Sequence, residues 1–241
     1  MEARLRRNLR FLKPLHKHPK CQGKATSDVL LSSTIQTMTS QDYRQLTPSD
    51  VEQAAQVIAR SFQEDPLVSF MLPFRVTRVR TLVKFFRVYG EISIKNGRGY
   101  GVGEPLQGVA YWKLPTQEDM SISVKSLGKF LPILFTMYPI GYFRARPVLS
   151  QIDNLHKKHA NEPHFYLDNL AVLPSARGKG LSSKLIRPFL EMADSQKVIA
   201  YTDTVTRSNV SLYEHFGFEC VEESHIPSTG ITVFALRRTV R

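Results

Sequence analysis

Apolar residues along this chain switch between two spacings, and the switches mark its elements. Val51, Ala54, Ala55, Ile58 and Phe62 recur at helical intervals behind Thr47-Pro48-Ser49-Asp50, a run suited to capping and opening a helix. A short strand precedes this helix, and a second helical stretch spans Val76 to about Ile94. "NGRGYGVGEPLQGVAYWKLP" reads as two strands about a Gly/Pro turn, with Val109 to Trp112 in the second. Residues 116 to 160 are helical in pattern but irregular, interrupted by Pro132, Pro139 and Gly141. Beyond them the order becomes strand, loop, helix, strand, helix, strand, strand. "HFYLDNLAV" is the first of these, and "GLSSKLIRPFLEMADSQ" is a helix that buries Leu181, Leu185, Phe189 and Met192, with Pro188 expected to kink it. "VIAYTDT", the short helix "NVSLYEHF" stopped by Gly217, and the pair "FECVEESHI" and "ITVFALRR" complete an α/β pattern.

Composition limits what this pattern can build. With 241 residues, 42% of them hydrophobic, the chain can bury the core of one α/β domain carrying an appended segment. Half of the net charge of +12 lies in the first 40 residues, where eight Lys/Arg face Glu2 and Asp28. Residues 1–39 therefore read as a basic, disordered extension and 40–241 as the folded domain. Leu5, Leu9 and Leu12 would share a face of a basic amphipathic helix there, which fits a mitochondrial presequence. A solvated tail of a cytoplasmic protein fits equally, as does an upstream start, since Met38 stands just before the structured part. The surplus of +6 on the rest favours phosphate-rich ligands, but no recognition motif points to nucleic acid. No stretch reaches the roughly 18 to 20 apolar residues of a membrane helix. Cys21 and Cys220 suggest neither a zinc site nor a disulfide framework, and no metal is expected.

The most informative segment is "PSARGKG", residues 174 to 180, where a strand hands over to a helix. Amides at the start of a helix have no intrahelical acceptor, and the helix dipole adds positive charge at the same place. Gly178 and Gly180 allow a phosphate to approach the main chain, while Arg177 and Lys179 add fixed charge. A diphosphate suits such a corner; a basic surface turn is the plainer reading of the motif taken alone. About 30 residues on stands "NVSLYEHFGF", with Tyr213 one helical turn before Gly217.

The two segments together resemble the GNAT superfamily of N-acetyltransferases, whose Q/R-x-x-G-x-G/A loop cradles the pyrophosphate of coenzyme A and is followed by an N...Y...GF segment. "EPHFYLDNLAVLPSARGKGLSSKL" is especially similar to small enzymes of the puromycin acetyltransferase type. Ser175 departs from the usual Gln or Arg, and Ser182 stands where many members have a third glycine; both leave the main-chain donors in place. The resemblance implies a central mixed, mostly antiparallel sheet flanked by helices, with a splayed strand pair formed by residues 165–172 and 198–204. It implies acetyl-CoA as cosubstrate and transfer to the amine of a small molecule by direct attack in a ternary complex. A non-catalytic acyl-CoA-binding module, or acetylation of a protein lysine or N-terminus, fits the same residues.

Carried onto these positions, the resemblance gives Leu170, Ala171 and Val172 as the edge that pairs with the pantetheine arm. Arg177, Gly178, Lys179, Gly180, Leu181 and Ser182 would hold the diphosphate. Asn209 would touch the cofactor or cap its own helix. Tyr213 is the candidate proton donor to the departing thiolate, against a plain packing aromatic. Asp168, a carboxylate inside a strand, is the candidate base, since burial in a cleft raises its pKa. Asp203 competes with it, each also fits a carboxylate satisfying backbone donors, and His164 fits a relay or a structural histidine. Trp112, Phe130, Phe135, Tyr138, Tyr142 and Phe143 would wall the acceptor pocket or pack a core.

Overall fold

The structure, a computed structural model, describes residues 43–116 and 140–240. Their seven strands are β1 (Arg44–Gln45), β2 (Gly99–Val102), β3 (Gly108–Lys113), β4 (His164–Val172), β5 (Ile199–Thr204), β6 (Glu219–Ile226) and β7 (Ile231–Arg238). They form one sheet in the order β1-β2-β3-β4-β5-β7-β6, in which only β4 and β5 run parallel. The expected mixed, mostly antiparallel sheet is present. Its helices are α1 (Val51–Phe62), α2 (Pro66–Met71), α3 (Arg75–Lys95), α4 (Ile140–His159), α5 (Leu181–Ser195) and α6 (Arg207–His215). None of the helices among the described residues is long and apolar enough to cross a membrane.

Strand alternation assigns each helix to a face. Ala110, Trp112, Phe165, Leu167, Ala200 and Leu236 turn to one side, where they pack with Leu185 and Phe189 of α5 and Val210 and Tyr213 of α6. Val109, Tyr111 and Ala171 turn to the other side, against Ala55 and Ile58 of α1 and Leu82 and Phe86 of α3. Tyr201, Val233 and Ala235 meet Val148 and Leu155 of α4 on that same side. Trp112 is fully buried, its ring stacked on Phe189 at 4.9 Å and its Nε1 donating to the Leu185 carbonyl at 3.0 Å. It is a core residue on the α5 face, not part of an acceptor wall. Of the other aromatics expected in that wall, Phe130, Phe135 and Tyr138 lie outside the described residues, as does the Tyr142 side chain, and Phe143 is half exposed.

Pattern reading missed α2, whose six residues are too few to display a period. It depends on Asp65, which accepts from the amides of Leu67 (2.9 Å) and Val68 (3.1 Å) just ahead of Pro66. Pro188 lies inside an unbroken α5, at half-exposed depth. A tight contact fixes α3 on the sheet: a Cβ at Gly90 would lie 2.7 Å from the buried Tyr111 hydroxyl. Gly90→Ala is accordingly expected to cost about 1–3 kcal/mol through overpacking. Urea denaturation of the two proteins, at unchanged m, measures the difference.

Candidate active site at the strand fork

β4 and β5 pair from His164–Ile199 to Leu167–Thr202 and no further. Beyond that point β5 continues alongside β7 through Asp203 and Thr204, whereas β4 stays with β3 to Val172. The sheet thus opens into a fork, and the strands that open are the two expected to splay. The main-chain edge of β4 inside the fork can be read from its ladder. The Leu173 amide donates to the Gln107 carbonyl at 2.9 Å, so hydrogen-bonded pairs fall at Ala171–Val109 and Asn169–Tyr111. The main-chain groups of Ala171 consequently face β3, and those of Leu170 and Val172 face the opening.

A β-bulge sits at the vertex. Tyr111 pairs with Asn169 and Trp112 with Leu167, so Asp168 has no opposite number on β3. The Tyr89 hydroxyl, on α3, donates to Asp168 Oδ2. Across the fork, Asp203 accepts from the Tyr166 hydroxyl at 3.0 Å. Burial is the main cause that lifts the Asp168 carboxyl to about 7, with the nearby Asp203 charge adding to it. Burial also lifts Asp203 to about 6, against the lowering effect of the Tyr166 hydrogen bond. Each carboxyl is therefore poised near neutrality, and each has a phenol beside it.

Tyr213 reaches the same place from the α5–α6 face. It is buried, hydrogen-bonded to Thr202, and packed edge-on against Phe218 at 5.8 Å. Burial pushes its phenol up to about 12, so it keeps its proton at neutral pH. Thr202 Oγ1 donates to the Leu167 carbonyl at 2.9 Å, which ties the last paired rung of the fork to this tyrosine. Asn209, in the first turn of α6, donates from Nδ2 to Thr204 Oγ1 at 3.2 Å; the cap of that helix is Thr206. Thr206 Oγ1 in turn donates to Asp65 at 3.2 Å, linking α6 to α2 across the open side. His164 faces His156 at 2.7 Å between their Nε2 atoms and has the Glu162 carbonyl 2.7 Å from Nδ1. It belongs to an aromatic cluster with Tyr166 and Tyr201, at the paired end of β4.

On the other arm of the fork, β4 passes through a single 3-10 turn, Pro174–Ala176, into the exposed stretch Arg177–Gly180. Gly178 (φ +78°) and Gly180 (φ +72°) are left-handed, and a Cβ added at either would meet nothing within 4 Å. Space for a ligand therefore lies directly over the glycines. The α5 ladder begins with the Lys184 amide bonded to the Gly180 carbonyl at 3.3 Å. The amides of Leu181, Ser182 and Ser183 precede it and have no intrahelical acceptor. Arg177, Gly178, Lys179, Gly180, Leu181 and Ser182 thus stand together at one helix start, with Leu170 and Val172 leading to it. The residues present fit a diphosphate-bearing thioester. In the sequence Tyr89 and Tyr166 both look like ordinary core aromatics.

An α/β sheet forked between two parallel strands, with a glycine loop at one arm and titratable groups at the vertex, has the layout of an acyltransferase fold. Residues 111–218 match the model of the Acetyltransferase (GNAT) family, which supports a GNAT acetyltransferase domain there. Solved structures share the fold. One is described as histone acetyltransferase HPA2 and related acetyltransferase, from Corynebacterium glutamicum, at TM-score 0.57 and 20% identity over 83% of this chain and 96% of that one. Another is arylalkylamine N-acetyltransferase 2 from Aedes aegypti, at TM-score 0.56 and 15% identity over 83% and 98%. A third is the Drosophila melanogaster polyamine N-acetyltransferase, at TM-score 0.54 and 12% identity over 82% and 99%.

Proposed function

We propose that this acyltransferase moves an acetyl group from acetyl-CoA to the amine of a small molecule, by direct attack within a ternary complex. The observation that carries the reading is the fork itself, with two near-neutral carboxyls on one face of its vertex and a buried phenol on the other. Bound acetyl-CoA supplies an acyl thioester. Arg177, Lys179 and the amides from Gly178 to Ser182 hold the diphosphate, and the main-chain groups of Leu170 and Val172 align the pantetheine arm in the opening. The acceptor enters from the α1–α4 face, where Tyr89 and Tyr166 orient the carboxyls. Asp168 takes the proton of the incoming ammonium, directly or through water, so that the neutral amine can attack. Tyr213 donates to the sulfur as it leaves. Neighbours of this fold that are described as acting on polyamines and arylalkylamines support a small amine as acceptor.

The test is an amine panel with thiol release as readout. Tyr213→Phe is expected to lower kcat by about 10²-fold or more, as removal of a general acid does, while acetyl-CoA affinity stays within about threefold. Binding of acetyl-CoA without turnover of any amine by the unaltered protein would overturn the enzymatic reading.

Tyr89 gives a second check. Its hydroxyl stabilises the ionised form of Asp168, so Tyr89→Phe is expected to move the rising limb of kcat/KM to higher pH. A pH–rate profile from pH 5 to 9 records the limb, and a fall in rate at every pH without displacement would assign Tyr89 to packing alone.

A further inference from the structure

The outer side of the α1–α3 hairpin, away from the fork, carries a groove of about 320 Å³. Arg60 of α1 and Arg80, Lys84 and Arg87 of α3 line it, over a floor that includes Val79 and Val83. The cations of this hairpin divide sharply. Arg78 is buried and donates to the carbonyls of Leu72 (2.8 Å) and Gln63 (2.7 Å), and Arg75 pairs with Glu64 at 2.8 Å. Arg87 pairs with Glu52 at 2.6 Å, at one end of the groove. Arg60, Arg80 and Lys84 are exposed and form no ion pair with any acid among the described residues. Residues 80, 84 and 87 recur on one helical face, so their cations are spread along roughly 10 Å of groove.

We propose that this groove is a docking surface for an acidic peptide segment of a partner protein, one that interleaves carboxylates with aliphatic side chains. Charge complementarity selects an anionic occupant, and the chain's own basic extension, residues 1–39, has the wrong sign. The form of the site selects a peptide among anions. Val79 and Val83 are half-buried at the floor and suit small aliphatic side chains, which a phosphodiester chain lacks. Among the described residues, no aromatic ring lines the groove for a base to stack on. The apolar surface is recessed between two helices, where a flat layer of lipid headgroups does not reach it. This surface is independent of the reading of the fork.

The experiment is fluorescence anisotropy with the full chain and a labelled peptide of about a dozen residues built from Glu and Leu. Binding that weakens as salt rises is expected. Joint replacement Arg80→Glu and Lys84→Glu should weaken it at least about tenfold, and Arg80→Gln with Lys84→Gln by less, with circular dichroism and acetyl-CoA affinity unchanged. Absence of binding at low salt, or equal binding by all three proteins, would overturn the proposal. So would tighter binding of single-stranded RNA or of phosphatidylserine vesicles that the Glu variant loses. Self-association that the Glu variant abolishes in sedimentation would overturn it in favour of a second copy.

Discussion

Replacing Gly178 by glutamate is expected to eliminate the heat of acetyl-CoA binding while the protein stays folded. Both halves of that result come from the local geometry. Gly178 has a left-handed backbone, and a Cβ there meets no atom within 4 Å. The substitution therefore costs only the conformational penalty of a non-glycine residue at positive φ, about 1–2 kcal/mol, or a few degrees in Tm. The space that the new side chain enters is the space over the amides at the start of α5. A carboxylate there meets the diphosphate with like charge, worth several kcal/mol, so affinity falls by about two orders of magnitude or more. Calorimetric titration of the two proteins, with melting curves recorded alongside, separates loss of the site from loss of the fold. Unchanged affinity would mean that the nucleotide lies elsewhere.

Asp168→Asn is expected to show the second large effect, and in two directions at once. Asparagine cannot accept the ammonium proton, so kcat/KM should fall by about 10²–10⁴-fold and lose the limb that otherwise rises through pH 7. Stability should move the opposite way. A carboxyl whose folded pKa is raised binds its proton more tightly in the native state than in the unfolded chain. Its cost to folding is absent below the unfolded value of about 4, grows as pH rises, and is fully present above the folded value of about 7. The variant should therefore gain Tm relative to the parent at pH 8 and much less at pH 5. A loss of activity together with a loss of Tm at pH 8 would show that Asp168 braces the bulge and does not work as a base.

Local signals carried much of this architecture in the sequence. The strand-loop-helix around "PSARGKG" is visible because glycines, a proline and a helical period are all near neighbours, and the loop that they form has the open geometry those residues permit. Tyr213 and Gly217 are likewise legible as one helix and its stop. The vertex is harder to read. Asp168 stands out as a carboxylate in a strand, but its bulge depends on the register against β3, which no local pattern encodes. Its partner Tyr89 is 79 residues away and continues the Leu82–Phe86 face of α3, so its spacing is that of a core aromatic. Trp112 shows the converse: of its two readings, pocket wall or core aromatic, the fold realises the second, as the largest side chain of the α5 core. Where function arises from elements that meet only on folding, periodicity names the residues but not their company.

Amide chemical-shift mapping of the full chain titrated with acetyl-CoA interrogates the fork most directly. Shifts concentrated at Gly178, Gly180, Leu181 and Ser182, continuing to Leu170 and Val172, are expected, with Tyr213 perturbed and the outer α1–α3 groove silent. Saturable shifts that leave the α5 start untouched and gather at another surface would contradict the assignment of the cofactor to this site.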